Sequence, residues 1–512
     1  MKRGGASLVA AGIFLSRIAG LVRESVFAAY FGDSAAADAF KAAFRIPNFL
    51  QNLFGEGVLS ASFIPVYASL EAREEHEEAG RVAGAVFAIL ALLTSIIVLV
   101  GVLATRLFID LIAPGFHGET RALTVSLVRI FFPGAGLLVM SAWCLGILNS
   151  HRRFFLSYSV PVLWNIAMIA ALLWFGPRAA QERLAVYVAW ASVVGCAAQF
   201  VAQLPAVLAL VPALRIRLAT HRENVRVVIR NFGPVFVSRG VVQVSGYIDQ
   251  IIATYLPSGA VAALGYAQTI AFLPVSLFGM AVSASELPEM SRATGDAAEV
   301  SMFVRRRLLI GLRRIAFFVI PSAVAFIALG DIVAAAIYQH GRFGHDDAIY
   351  TWGILAGSGV GLLASTQGRL FSSAFYALKD TRTPLRFAIL RVALTTILGY
   401  LAAFHLPGLM GMDPKWGAAG LTASAGVSGW IEFILLRGSL AKRIGSDAVG
   451  AAFLARLWAA AIIAAAVTFF LKLRIEPVLR SPKLLAVATL IPFGVIYLAL
   501  TEPTRLRERL GR

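Results

Sequence analysis

The sequence predicts an all-α polytopic membrane protein of about fourteen transmembrane helices. Three observations predict it. The 512 residues are 59% hydrophobic and only 14% charged, whereas a soluble domain carries about 25% charged residues. Apolar runs such as 84–104, 455–471 and 484–501 approach the ~20 residues that a helix needs to cross a bilayer. Lys and Arg gather in the polar segments between alternate runs, so one side of the membrane is basic. A barrel would instead show alternating strands of ~10 residues, and none is visible.

Taken in order, the first span covers 7–30. It follows Met1-Lys2-Arg3, which mimics a secretory signal. Arg17 interrupts that run and the hydrophobic pattern then continues, so it reads as an uncleaved first helix. The second span, 36–66, contains Pro47, Gly55 and Gly57, which bend or loosen a helix. The acidic stretch from Glu71 to Glu78 is a solvated inner loop before the third span, 82–112. The fourth and fifth, 121–149 and 158–177, flank Arg152-Arg153. The sixth, 184–212, ends before the basic segment 215–230. The seventh and eighth, 232–256 and 261–288, carry Arg239, Asp249 and Glu286. Residues 301–314, with Arg305, Arg306 and Arg307, suit an anionic lipid surface and lead into the ninth span, 308–338. His340, His345, Asp346 and Asp347 read as a solvated outer loop, not a metal site, before the tenth, 348–376. Gly353, Gly357, Gly359 and Gly361 within it read as close helix packing. The last four spans cover 384–405, 417–437, 453–472 and 484–501. With the basic side inside and an even number of spans, both termini are expected in the cytoplasm. Cys144 and Cys196 lie in apolar runs and imply no disulfide framework.

A weak repeat organises the chain. Leu53-Phe54-Gly55 leads to Ser60-Ala61-Ser62 and Pro65; Leu277-Phe278-Gly279 leads to Ser283-Ala284-Ser285 and Pro288. Gly115-Phe116 and Gly341-Arg342-Phe343 follow the third span of each half. Two six-helix lobes related by a pseudo-two-fold are therefore expected, 1–220 and 221–445, followed by two further helices in 446–512. Such repeats are typical of secondary transporters.

Charge placement points to a site. Arg17, Arg23, Asp38, Lys41, Arg45 and Glu56 fall within the first two spans. A charge at the bilayer centre costs ~2.5–3.5 kcal/mol on insertion scales, so such residues face water or a polar ligand. Asp38, Lys41 and Arg45 share one helix face, continued by Asn48 and Asn52. The surplus of bases calls for an anion, and an Arg fork fits phosphate. Internal neutralisation, Asp38 with Lys41 or Glu56 with Arg23, is the competing structural reading. In the second half, Asp249 either binds a cation or pairs with Arg239, and Arg391 and Glu432 are weaker candidates. No Walker A, HExxH or paired CxxC motif occurs. The bases sit between membrane spans, which argues against nucleic acid. No cofactor and no enzymatic activity are expected; coupling to the membrane potential or a monovalent ion is.

The chain resembles the MurJ/MviN family of the MOP exporter superfamily. The residues that carry the resemblance are Ser16-Arg17, Gly20, Arg23-Glu24, Phe31-Gly32, Ala37-Asp38-Ala39-Phe40, Arg45-Ile46-Pro47-Asn48 and Glu56-Gly57. Asp249, Tyr266-Ala267, Gly341-Arg342-Phe343 and the run from Phe375 to Pro384 follow in family order. The resemblance implies fourteen helices, a cationic central cavity and a lipid-tail groove formed by the last two helices. It implies flipping of lipid II, a polyprenyl-pyrophosphate lipid, across the bacterial inner membrane, with peptidoglycan synthases as candidate partners. It implies cavity roles for Arg17, Arg23 and the acid Asp38; on the charge pattern, Lys41 and Arg45 would join Arg17 and Arg23 in contacting pyrophosphate, with Asp38, Glu56, Arg239 and Glu286 in charge pairing or gating. Asp249 and Thr395 would be the candidate cation site. The chain departs from the family at Gln51, Asn52 and Thr269, where basic residues are usual, and 387–402 offers only Thr395 and Thr396 towards a sodium site. The alternatives are a flippase for another undecaprenyl-linked oligosaccharide, a MATE-like drug exporter, or a scaffold without transport.

Overall fold

The structure is a computed structural model that describes residues 3–59, 62–218, 223–232, 247–292, 296–445, 449–479 and 481–510. Helices dominate, and no strand occurs among the described residues. Among those residues, eleven helices are long and apolar enough to cross a membrane. The other three expected spans differ for visible reasons. The first is one long helix that carries Arg17, Arg23 and Glu24. The second is broken into short pieces, and most of the seventh lies outside the described residues.

The chain forms two compact units, Met1–Val261 and Ala262–Arg512. In the first, α1 (Arg3–Phe31) turns at Gly32 into α2 (Ala35–Ala43), whose N-terminus is capped by the Ser34 hydroxyl, 3.2 Å from the Ala37 N–H. Then come α3 (Arg45–Gln51), a π-helical segment (Asn52–Leu59) and α4 (Ile64–Ala72). Pro47, Gly55 and Gly57, expected to bend or loosen a single helix, lie where the span is instead broken into separate pieces. The long helices α5 (His76–Leu103), α7 (Gly118–Ser150) and α10 (Gln181–Leu210) alternate with the shorter α6 (Thr105–Ile112), α8 (Phe154–Ser159) and α9 (Pro161–Phe175). A column of rings joins four of these helices. Phe27 of α1 lies 4.9 Å from Phe40 of α2, Phe40 5.4 Å from Phe131 of α7, and Phe44 5.3 Å from Trp164 of α9. The unit closes with α11 (Ile248–Ala253).

The second unit opens on α12 (Ala260–Pro274), which begins at the boundary and runs into a second π-helical segment (Val275–Met280) and then α13 (Ala281–Ser291). The two π segments carry the two copies of the Leu-Phe-Gly repeat. π-Helix accounts for well under 1% of residues in proteins, so its recurrence at both copies gives the sequence repeat a structural counterpart. After α14 (Ala297–Ala328) and α15 (Gly330–Tyr338), α16 (His345–Ala377) runs through the core of the unit. It packs against α19 (Gly417–Ile444) through its glycines: a Cβ on Gly361 would stand 2.2 Å from the Gly426 Cα, and one on Gly357 2.6 Å from the Ala419 carbonyl oxygen. Between them come α17 (Arg382–Phe404) and the short α18 (Leu406–Leu409). The chain ends in the hairpin α20 (Ala451–Ile475) and α21 (Pro482–Leu510).

Candidate functional site

A nearly buried charge cluster of the first unit centres on Glu24. Helix α1 presents Arg23 and Glu24 side by side, and α2 brings Lys41 against them. Arg23 Nη2 lies 2.6 Å from Glu24 Oε1, and Lys41 pairs with the other carboxylate oxygen. Arg23 Nη1 donates to Asn165 Oδ1 of α9 at 3.0 Å. The Asn165 amide nitrogen donates to the Pro161 carbonyl at 3.1 Å, which turns its oxygen towards the arginine. Side-chain exposures of 13%, 9% and 12% for Arg23, Glu24 and Lys41 show that the cluster is nearly closed off.

Aromatic faces line it. The Arg23 guanidinium lies 4.9 Å from the Phe44 ring and 5.8 Å from Trp164, and the Lys41 ammonium lies 4.9 Å from Phe27. Trp164 is itself fixed by its indole N–H, 2.8 Å from the Ser192 hydroxyl. Ring faces carry negative charge, so they help offset the lost hydration of the two cations. Among the described residues, two bases face one acid, and the bases are held in position by their partners.

The remaining expected residues are distributed as follows. Arg17 lies on the exposed side of α1, away from the turn that carries Arg23. Arg45 places its guanidinium 5.1 Å from the Tyr247 ring, which also meets Phe49 edge-on at 5.8 Å. Asp249 sits two residues on, in the first turn of α11, close enough for its charge to act on Arg45. Asp38 is 3% exposed, and its Oδ2 accepts the Gly259 N–H at 2.6 Å. Gly259 is needed there twice over. Its φ of +95° suits glycine, and a Cβ would stand 2.7 Å from the Asp33 carbonyl oxygen.

Glu56 lies in the first π segment, with its side chain outside the described residues, and Arg239 lies outside them altogether. Glu286 belongs to the second unit, where it is 1% exposed and faces Arg307 at 2.9 Å and Arg314 at 3.7 Å. Thr395 is half-buried on α17 in the second unit, while Asp249 is in the first. Gln51 and Asn52 close α3 and open the π segment, and Thr269 turns its hydroxyl to the Gly265 carbonyl at 2.9 Å. No group of three His, Cys, Asp or Glu placed to hold a metal occurs among the described residues.

Sequence reasoning overlooked Glu24 as a partner, as well as Asn165 and the ring faces. Glu24 stood next to Arg23 in plain sight. Asn165 is 142 residues away, and nothing local to it signals the contact.

Comparison with known proteins adds the family. Residues 27–486 match the family model described as lipid II flippase MurJ. The chain is 32% identical over 436 residues to the lipid II flippase MurJ of Burkholderia cenocepacia, covering 84% of this chain and 82% of that protein. It is 31% identical over 486 residues to the probable lipid II flippase MurJ of Rhizobium tropici, covering 93% and 88%. Among solved structures, the inward closed conformation of lipid II flippase MurJ superposes with a TM-score of 0.79 at 22% identity, over 99% of this chain and 100% of that one. An inward-facing multidrug resistance MATE family transporter of the MOP superfamily superposes with a TM-score of 0.67 at 18% identity, over 85% and 96%. The second likeness is one of fold, while the family model spans most of the chain: this multi-pass membrane protein belongs to the lipid II flippase MurJ family.

Proposed function

We propose that this chain flips lipid II from the inner to the outer leaflet of the bacterial cytoplasmic membrane by alternating access, with both termini in the cytoplasm. The observation that carries this reading is the cluster of Arg23 and Lys41 on Glu24, two bases on one acid nearly closed off from solvent. A pyrophosphate offers several oxygens in place of one carboxylate. It can take over Arg23 and Lys41 from Glu24 by exchanging one anionic partner for another, without leaving a bare cation at any stage. Arg17 and Arg45 are the further bases that would contact the pyrophosphate. Asp38 and Glu56 act in charge pairing as these bases change partners, Glu286 does so with Arg307 and Arg314 within the second unit, and Asp249 and Thr395 are each to be tested singly for an effect on cation coupling. Residues 1–220, 221–445 and 446–512 serve as two lobes and a tail-binding hairpin. An inside-negative potential favours outward movement of the anion. Peptidoglycan synthases are the partners that would consume the product.

The polar residues at Gln51, Asn52 and Thr269 favour one second reading, a different undecaprenyl-linked oligosaccharide carried by the same pyrophosphate contacts. Complementation separates the two. In cells depleted of their own lipid II flippase, this chain restores growth and Arg23→Ala does not, at equal membrane abundance. Failure of the unaltered chain to rescue, despite normal insertion, overturns lipid II as the substrate.

A further inference from the structure

The second unit carries an apolar groove at the end where α14 and α17 stop and α19 begins. Its volume is about 380 Å³, and its walls come from α14, α16, α17, α19 and the segment 406–416. That volume falls within the roughly 300–1,000 Å³ of ligand-binding pockets. No lining side chain among the described residues is charged, and only the Trp416 indole carries a side-chain nitrogen or oxygen. Ile327, Val360, Leu406 and Met412 are exposed, so the groove opens to the surface and is not a sealed void.

Its walls are already in contact with one another. A Cβ on Gly420 would stand 2.6 Å from the Ala402 carbonyl oxygen, which sets α17 against α19. A Cβ on Gly357 would stand 2.3 Å from Thr422 Oγ1, which sets α16 against α19. The Trp416 ring lies against Gly353, where a Cβ would stand 2.3 Å from its Cζ3. The groove therefore cannot close by the helices moving together.

What fills it follows from where it lies. The four long helices that line it are each long and apolar enough to cross a membrane. Trp416 stands at one end of the groove with the Tyr350 ring 6.0 Å away, and such aromatic side chains gather at the level of lipid headgroups. From there to Ala423 on α19, or from Gly353 to Val360 on α16, the groove follows about 10 Å of helix rise into the hydrocarbon. An apolar space does not hold water, and left empty its lining loses dispersion contacts. An alkyl chain supplies them.

The mouth selects the lipid. Lys415 holds its ammonium 5.9 Å from the Trp416 ring. Its N–H donates to Asp413 Oδ1 at 2.9 Å, and its carbonyl accepts the Tyr350 hydroxyl at 2.9 Å. One base and one acid thus stand beside the groove. A zwitterionic headgroup matches that pair, with its phosphate on Lys415 and its cation towards Asp413. A pyrophosphate brings only negative charge and is opposed by Asp413.

We propose that this groove binds one acyl chain of a zwitterionic phospholipid, whose headgroup rests on Lys415 and Asp413. The inference goes beyond the transport function proposed above and does not depend on which lipid is carried.

The full-length protein in detergent is titrated with phosphatidylethanolamine brominated on its acyl chains, because bromine quenches tryptophan fluorescence. The chain has eight tryptophans, so the difference from Trp416→Phe isolates Trp416. Its quenching is expected to saturate at a single lipid per protein. Ala423→Leu and Ala356→Leu fill the groove and should each weaken that binding by roughly tenfold or more, and Lys415→Gln should weaken it less. Unbrominated phosphatidylethanolamine should raise the unfolding midpoint of the unaltered chain and leave that of Ala423→Leu in place. Midpoints without lipid report whether each variant folds; if neither filled variant does, saturation in the unaltered chain still decides. Quenching that grows with the ratio of lipid to detergent and never saturates overturns the proposal, as partition into the micelle only. Displacement of the brominated lipid by polyprenyl pyrophosphate, mole for mole, overturns it in favour of the carried lipid's tail. Tighter binding of phosphatidylglycerol than of phosphatidylethanolamine overturns the headgroup assignment. All three results are independent of complementation.

Discussion

Glu24 holds two bases with one carboxylate at 9% side-chain exposure. Breaking a buried pair by removing one partner costs about 3–5 kcal/mol, because the other charge stays buried and uncompensated. Glu24→Ala leaves two such cations side by side and is expected to lose stability in that range. Glu24→Gln keeps an acceptor oxygen for one of them and is expected to lose less. Unfolding in detergent measures both, and equal losses would refute the bridging role. The cluster's basic members were legible in the sequence because a charge within an apolar run is conspicuous. Their partner was not, because side chains at i and i+1 on a helix do not face each other. Arg23 is long enough to fold back onto its own neighbour, a contact that helical spacing rules do not anticipate. Asn165 could not be found by spacing at all, since only the packing of α9 against α1 brings it to Arg23.

At the scale of elements, Pro47, Gly55 and Gly57 signalled an irregular second span, and the Leu-Phe-Gly repeat signalled that the two halves correspond. The π form itself was not legible, because its hydrogen-bond register is set by what the segment packs against. In the second unit that constraint is visible at Gly279, where a Cβ would stand 2.3 Å from Thr366 Cγ2 of α16. Gly279→Ala is expected to cost about 1–3 kcal/mol as overpacking. Thr366→Ser removes the offending methyl and keeps the hydroxyl, which donates to the Leu362 carbonyl at 2.6 Å. The double variant should therefore regain most of the loss, and simple additivity in an unfolding assay would show that the clash lies elsewhere. The turn between α16 and α17 supplies a pH test. Asp380 accepts from the Thr383 hydroxyl at 2.6 Å and from the Thr383 and Arg382 N–H groups at 3.0 and 2.9 Å, with Arg443 beside it. The Thr383 bonds above all lower its pKa from 3.8 to about 2. A depressed carboxylate contributes stability that is present above its ordinary pKa and lost as the pH falls through the folded value. The gap in unfolding midpoint between the unaltered chain and Asp380→Asn should hold from neutral pH to about 4 and then shrink towards pH 2. A gap of constant size across that range would exclude the ionised carboxylate as its source.

At the scale of the whole molecule, fold class and family were legible because both reside in long-range regularities, hydropathy and motif order, that survive divergence. What holds the last hairpin to its unit was not, since the charges involved are ordinary in their own segments. Asp331 lies in the first turn of α15 and Lys472 in the last turn of α20, each unremarkable at a span end. The fold makes them a pair, with side-chain exposures of 12% and 11%, while the Tyr497 hydroxyl of α21 donates to the Phe317 carbonyl of α14 at 2.7 Å. The two halves of the ion pair are not equivalent. With Lys472 removed, Asp331 keeps the favourable field of a helix N-terminus, worth about 0.3–1 kcal/mol. With Asp331 removed, Lys472 at a helix C-terminus keeps its own share of such a field but is the longer chain, able to carry its ammonium outward to water. Asp331 is short and stays in place, so its charge remains buried. Lys472→Met should therefore be the more destabilising of the two single changes, approaching the ~3–5 kcal/mol of a broken buried pair, and Asp331→Asn the milder. Combining them removes both charges, so the double variant should be more stable than Lys472→Met alone. A double-mutant cycle of unfolding free energies reads the coupling directly. A coupling near zero would mean that the hairpin is held by its apolar packing and the Tyr497 bond, with the ion pair incidental.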